Sequence, residues 1–215
     1  MKRYLIIGTD TSAGKTYVTG QLARYLTNHH HRVQAIKPIA SGCIEMDSML
    51  VSEDAMLLNR FNAEPLDERL FWRFKQPVSP HIAAAEEGVL ISAQSIAKVC
   101  ESVEYEQLDY QLIESAGGLM SPFSADETWI DFLIQTKIPV ILVVGIRLGC
   151  INHALLTDVV LNQYQIPCVG WIANVIDPNM LALQENIQTL TVRLSCPLLA
   201  EVSFSGTIDQ LLMEY

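Results

Sequence analysis

The run Gly8-Thr9-Asp10-Thr11-Ser12-Ala13-Gly14-Lys15-Thr16 constrains this chain more than any other segment. It follows a compact apolar stretch, Tyr4 to Gly8, and precedes Val18, Leu22, Tyr25 and Leu26 at helical spacing. A glycine-bounded turn between a strand and a helix points backbone N–H groups inward, and the helix N-terminus adds partial positive charge. The lysine then neutralises the outer phosphates, and the threonine hydroxyl can ligate Mg²⁺. Five residues separate Gly8 from Gly14, one more than in the usual loop. From average composition, such a string arises by accident in roughly one chain in a hundred of this length. The position between strand and helix makes accident rarer still. The loop therefore predicts nucleotide binding through Thr11, Ser12, Ala13, Gly14, Lys15 and Thr16, without saying what is phosphorylated. Asp10 stands where partition-type ATPases place an extra lysine, which excludes that variant.

The remaining pattern extends this βα start along the chain. Strands are predicted over 4–8, 33–36, 110–114, 140–144, 168–173 and 198–202. Helices are predicted over 14–29, 53–60, 92–101, 152–164 and 179–194, with a short helix in the tail. Residues 140–144 are almost wholly β-branched, as in a strand buried on both faces. The segment 62–88, with Pro65, Pro77 and Pro80, is the least regular. Alternating β and α predicts an α/β fold of the P-loop NTPase class, with a mostly parallel central sheet and helices on both faces. No linker or repeat interrupts it, so 1–215 reads as a single domain. The run His29-His30-His31 falls between a helix and a strand and reads as a solvated turn before it reads as a metal site.

Charge and cysteine content exclude several functions. The 24 acids and 14 bases give a formal charge of −10, the wrong sign for a duplex-binding footprint or for anionic membranes. The five cysteines include no CxxC pair, which argues against a disulfide framework or structural zinc. Tyr4 to Ile7 is too short for a signal-peptide core, and the strongest apolar run, 138–146, is about half a membrane span. A cytoplasmic protein in a reducing compartment is expected.

A nucleotide-bound Mg²⁺ needs hard oxygen ligands near the loop. Glu114 ends an apolar strand and faces the crevice where open α/β sheets bind ligands. Asp54 opens a helix, where an acid is also favoured by the helix dipole alone. Lys37 ends the second strand; by itself it is an ordinary strand-end lysine, and Ser41 an ordinary turn serine.

Seven segments in order carry a resemblance. They are GTDTSAGKT (8–16), KPIASG (37–42), SEDA (52–55), PVSPH (77–81), ESAGG (114–118), PVILVVGIRLGCINHALLT (139–157) and GWIAN (170–174). Together they resemble the dethiobiotin synthetase family over nearly the whole chain, and the five-residue gap in the loop is characteristic of it. The resemblance implies ATP-dependent closure of 7,8-diaminononanoate with CO₂ to dethiobiotin, with ADP and phosphate released. It implies Mg²⁺ on Thr16, Asp54 and Glu114, and catalytic roles for Lys15 and Lys37. It implies substrate contacts from Ser41 and from Gly149, Cys150, Ile151 and Asn152, the last four across a homodimer interface. It implies that Asn174 reads the adenine, although Asn174-Val175-Ile176-Asp177 also resembles a guanine-reading motif without its lysine. The chain departs from the family pattern at Ser115, at Arg147 and after Glu201. A P-loop nucleotide switch and a small-molecule kinase are the alternatives on the phosphate loop alone. Bicarbonate dependence separates both from the ligase.

Overall fold

The computed structural model describes residues 1–212. In chain order the elements are β1 (Lys2–Gly8), α1 (Lys15–Asn28), β2 (Val33–Ile36), β3 (Ile39–Ser41), β4 (Ile44–Met46) and β5 (Met49–Val51). Then come α2 (Glu53–Asn59), β6 (Trp72–Phe74), α3 (Pro80–Glu86), α4 (Ala93–Ser102), β7 (Tyr110–Gly118) and α5 (Trp129–Thr136). The last are β8 (Val140–Ile146), α6 (Cys150–Gln163), β9 (Cys168–Val175), α7 (Leu183–Arg193) and β10 (Leu198–Val202).

Among the described residues six strands form the main sheet, in the order β10-β9-β8-β1-β7-β2, and every pairing is parallel. Side chains alternate across β1: Leu5 and Ile7 enter one apolar layer, Tyr4 and Ile6 the other. The first layer holds Ile96 of α4, Phe132 of α5, Ala154 of α6 and Leu190 of α7. The second holds Val18, Leu22 and Leu26 of α1 and Leu58 of α2. Helices thus cover both faces, and all seven residues of β8 are buried between them. No helix among the described residues is long and apolar enough to cross a membrane.

The register fixes the chemistry at the sheet's C-terminal edge. Ile36 of β2 pairs with Ile113 of β7, so Lys37 and Glu114 leave neighbouring strands side by side. Strand β7 runs to Gly118, four residues past the expected end at Glu114, because Glu114, Ser115 and Ala116 remain buried beside the loop.

Several elements differ from expectation. The hairpin β4–β5 turns through Asp47 and Ser48, both at positive φ, and lacks the glycine or asparagine that marks such turns. Helix α3 starts on Pro80 at a first-turn position, where its fixed φ suits the helix. Helix α5 opens on a capping box between Thr128 and Asp131. Helix α7 begins at Leu183, after the irregular stretch that follows Asp177. Residues 203–212 form no helix, and 213–215, the rest of the expected tail helix, lie outside the described residues. The three histidines do form a turn: His29 caps α1, His30 is at φ 65° and His31 lies edge-on to Tyr110.

Candidate active site

The loop 8–16 closes on the N-terminus of α1. Gly14 adopts φ 79°, and a Cβ there would lie 2.2 Å from Asn174 Nδ2. Beneath it, a Cβ on Gly145 of β8 would meet Ala13 Cα at 2.9 Å. These two glycines let the loop settle directly onto the sheet. Asn174 Nδ2 donates to the Ala13 carbonyl at 2.9 Å, so β9 holds the loop from the side.

Lys15 is only 4% exposed, and its Nζ donates to the Asp10 carbonyl at 3.1 Å. Burial pulls its pKa down to about 8, and Lys37 adds to this while Glu114, Asp10 and Asp54 oppose it. A lysine so placed gains charge stabilisation when phosphate oxygens arrive.

Glu114 is the hub of the site. It is wholly buried, and its Oε1 accepts from Thr16 Oγ1 at 2.7 Å and from Lys37 Nζ at 2.9 Å. Lys37 Nζ also donates to Asp54 Oδ2, which comes from the first turn of α2. Burial works against the Lys37 charge, but the Glu114 and Asp54 carboxylates outweigh it and lift its pKa above the ordinary lysine value. Glu114 Oε2 is buried without a partner among the described residues. An orphaned carboxylate oxygen beside a hydroxyl and a second acid is a hard-oxygen donor set, which fits Mg²⁺. The described residues hold no group of three or more His, Cys, Asp or Glu side chains of metal-binding geometry.

These groups line one cavity of about 790 Å³. Thr11, Ser12, Gly14, Lys15, Thr16, Lys37, Ser41, Asp54 and Glu114 all face it. Ser41 Oγ is buried there without a partner among the described residues, which leaves a hydroxyl free for substrate. Ser79, on the same wall, shares a 2.9 Å hydrogen bond with His81 Nδ1.

The other expected residues lie apart. Gly149 caps α6 at φ 92°, Cys150 is buried, Ile151 is half-buried and Asn152 is exposed. None of the four lines the cavity of a single chain. Asn174 is also off the cavity lining, since its amide nitrogen is committed to Ala13.

Sequence reasoning missed other participants. Asp10 forms an ion pair with Arg147, and His153 Nδ1 lies 3.8 Å from the same Asp10 carboxylate. This contact ties the phosphate loop to the 147–153 turn. Gly117 and Ser121 complete the far wall, where Ser121 Oγ accepts from Gly118 N at 2.8 Å. The Ala116-Gly117-Gly118 string was the available signal.

Comparison with known proteins gives the family and the fold. A family profile described as an AAA domain matches residues 2–210. The ATP-dependent dethiobiotin synthetase BioD of Legionella pneumophila (strain Corby) is 49% identical over 211 residues, covering 98% of each chain. The chain belongs to the dethiobiotin synthetase family. The enzyme of that name from Pseudoalteromonas translucida is 40% identical over 213 residues, covering 98% of this chain and 94% of its own. Membership of the dethiobiotin synthetases makes this an ATP-dependent enzyme of the ligase class. The MinD cell division protein of Aquifex aeolicus superposes with a TM-score of 0.60 at 12% identity, over 97% of this chain and 84% of that one. At that identity the likeness is one of fold: the P-loop NTPase architecture.

Proposed function

We propose that this chain closes 7,8-diaminononanoate with CO₂ and ATP into dethiobiotin, releasing ADP and phosphate. The observation that carries the reading is the Lys37 ammonium held between Asp54 and Glu114, beside Thr16 and the phosphate loop. A cation held there supports a reading in which a carbamate and a triphosphate meet beside it.

In this reading one substrate amine adds to CO₂ and loses a proton, giving a carbamate. A carbamate oxygen attacks the γ-phosphorus and ADP leaves, which forms a carbamic–phosphoric anhydride. The second amine attacks the carbamate carbon, the ureido ring closes and phosphate departs. The protein contributes chiefly position and charge. The backbone from Thr11 to Lys15 cradles the phosphates, and Lys15 neutralises the outer oxygens. Lys37 steadies the carbamate and the phosphoryl group in transfer. Thr16, Asp54 and Glu114 would hold Mg²⁺, which supplies further charge neutralisation at the phosphates. Ser41 offers its free hydroxyl to the diamine end.

The turn 149–152 binds the substrate carboxylate from the neighbouring copy in a homodimer. Supporting this, α6 and the residue ahead of its cap leave Leu148, Leu156 and Val159 exposed, an apolar face suited to a second copy. Asn174 contributes to the adenine pocket by holding the Ala13 carbonyl. We place the reaction in the cytoplasm, within a single domain spanning 1–215.

The test is an incubation of protein with 7,8-diaminononanoate, bicarbonate and Mg-ATP, read by mass spectrometry. Dethiobiotin that requires bicarbonate supports the reading. ATP hydrolysis without product points to a nucleotide switch, and a stable phosphorylated acceptor to a kinase.

A further inference from the structure

We propose that Arg73 is a positioning residue for Lys37, clamping the backbone from which the Lys37 side chain reaches the site; this rests on the catalytic reading of Lys37 given above. Lys37 and Pro38 occupy the break between β2 and β3, where the chain leaves the main sheet. Pro38 has no N–H and cannot continue a ladder. Strand β6 lies parallel to β3, with Arg73 opposite Ala40, and Trp72 N donates to Pro38 O at 2.9 Å. The Arg73 guanidinium then spans the break. Its Nη1 donates to Lys37 O at 3.0 Å, Trp72 O at 3.1 Å and Pro38 O at 3.4 Å.

The fork is itself anchored. Nε donates to Glu68 Oε2 at 2.7 Å, and the two side chains are 4% and 15% exposed. The guanidinium carbon sits 5.1 Å from the Phe71 ring centre. A planar guanidinium can donate in two fixed directions at once, to a carboxylate on one side and to carbonyls on the other. A lysine ammonium on its single flexible stem lacks that fork. The Lys37 side chain is consequently fixed at both ends, by Arg73 at its own carbonyl and by Asp54 and Glu114 at Nζ. A shift of about 1 Å in such a group can cost about a hundredfold in rate.

The test is a mutant cycle on the full chain, with turnover followed by dethiobiotin formation. Arg73→Lys should lower kcat by about ten- to a hundredfold while Mg-ATP affinity stays within about threefold. In a Lys37→Gln background, followed over hours, the same substitution should change the residual rate by no more than about twofold, since the ammonium that Arg73 positions is gone while its backbone contact to residue 37 remains. Arg69→Met, at the exposed residue that follows Glu68, should keep the full rate. If Arg73→Lys turns over like the parent, or costs equally in both backgrounds, the inference is wrong. If Lys37→Gln itself turns over normally, the catalytic reading of Lys37 is what fails. Should Arg73→Lys not fold, Glu68→Gln frees the same fork and replaces it in the cycle, with the same expected non-additivity.

Discussion

Lys37 Nζ and Glu114 Oε1 lie 2.9 Å apart because their strands are in register: Ile36 pairs with Ile113, one residue earlier on each. Neighbouring parallel strands deliver an amine and a carboxylate to one point at the sheet's edge. Asp54 reaches the same amine from α2, and Thr16 reaches the same carboxylate from α1. Four elements therefore meet on one hydrogen-bonded chain.

Lys37→Gln removes the cation from that chain. It should lower kcat by about two to four orders of magnitude and leave the Mg-ATP dissociation constant within about fivefold. Steady-state kinetics with a parallel nucleotide titration check this. A change confined to the KM for the diamine would show uniform binding in place of catalysis.

Lys15 gives the pH dependence. Its folded pKa of about 8 lies below its ordinary value of 10.5. Between those values the unfolded chain binds the proton and the folded chain does not. This group's contribution to stability therefore rises with pH across that window and is at its least favourable below about 8. Nucleotide binding runs the other way, because phosphate prefers the ammonium. Mg-ATP affinity should weaken as pH rises through 8, and binding there should take up protons. Calorimetry in buffers of different ionisation enthalpy measures the uptake. Lys15→Ala should abolish both the uptake and turnover.

Gly14→Ala forces a Cβ onto Asn174 Nδ2 at a positive φ. We expect a loss of about 1–3 kcal/mol in stability. Nucleotide affinity should fall with it, since the loop must lift from β9. Thermal melting with and without Mg-ATP separates the two effects.

Arg147→Met breaks the ion pair with Asp10, whose partners are 40% and 25% exposed. A pair this open contributes about 1 kcal/mol or less to stability. The melting temperature should barely move. The KM for ATP should rise several-fold, because the Asp10 carboxylate, part of the phosphate loop, then loses its arginine partner. An unchanged KM would show that Asp10 points away from the nucleotide.

On the residues alone this candidate site is legible in part, and the roles of Lys37, Ser41 and Asp54 come from the family resemblance. The phosphate loop carries its own geometry, and Lys37, Asp54 and Glu114 each sit at an element end that local sequence marks. Their convergence was not legible from composition or spacing, because it depends on which strands pair. The same holds for Arg73. It lies in the proline-broken stretch 62–88, where short elements β6 and α3 take their order from tertiary contacts and not from periodicity. Helix α5 did carry a local signal, the Thr128–Asp131 capping box, but Asp at the third position is less distinctive than Glu or Gln. Asn174 shows the opposite limit: its place near the end of an apolar strand is legible, but its amide bond to Ala13 depends on how closely β9 approaches the loop.

The central claim is that a carbamate oxygen attacks the γ-phosphoryl group beside Lys37. Its most direct test uses ¹⁸O-labelled bicarbonate in unlabelled water, with brief incubation and mass analysis of both products. The account predicts one ¹⁸O in the released phosphate and one in the ureido carbonyl of dethiobiotin. Unlabelled phosphate alongside labelled product would contradict it.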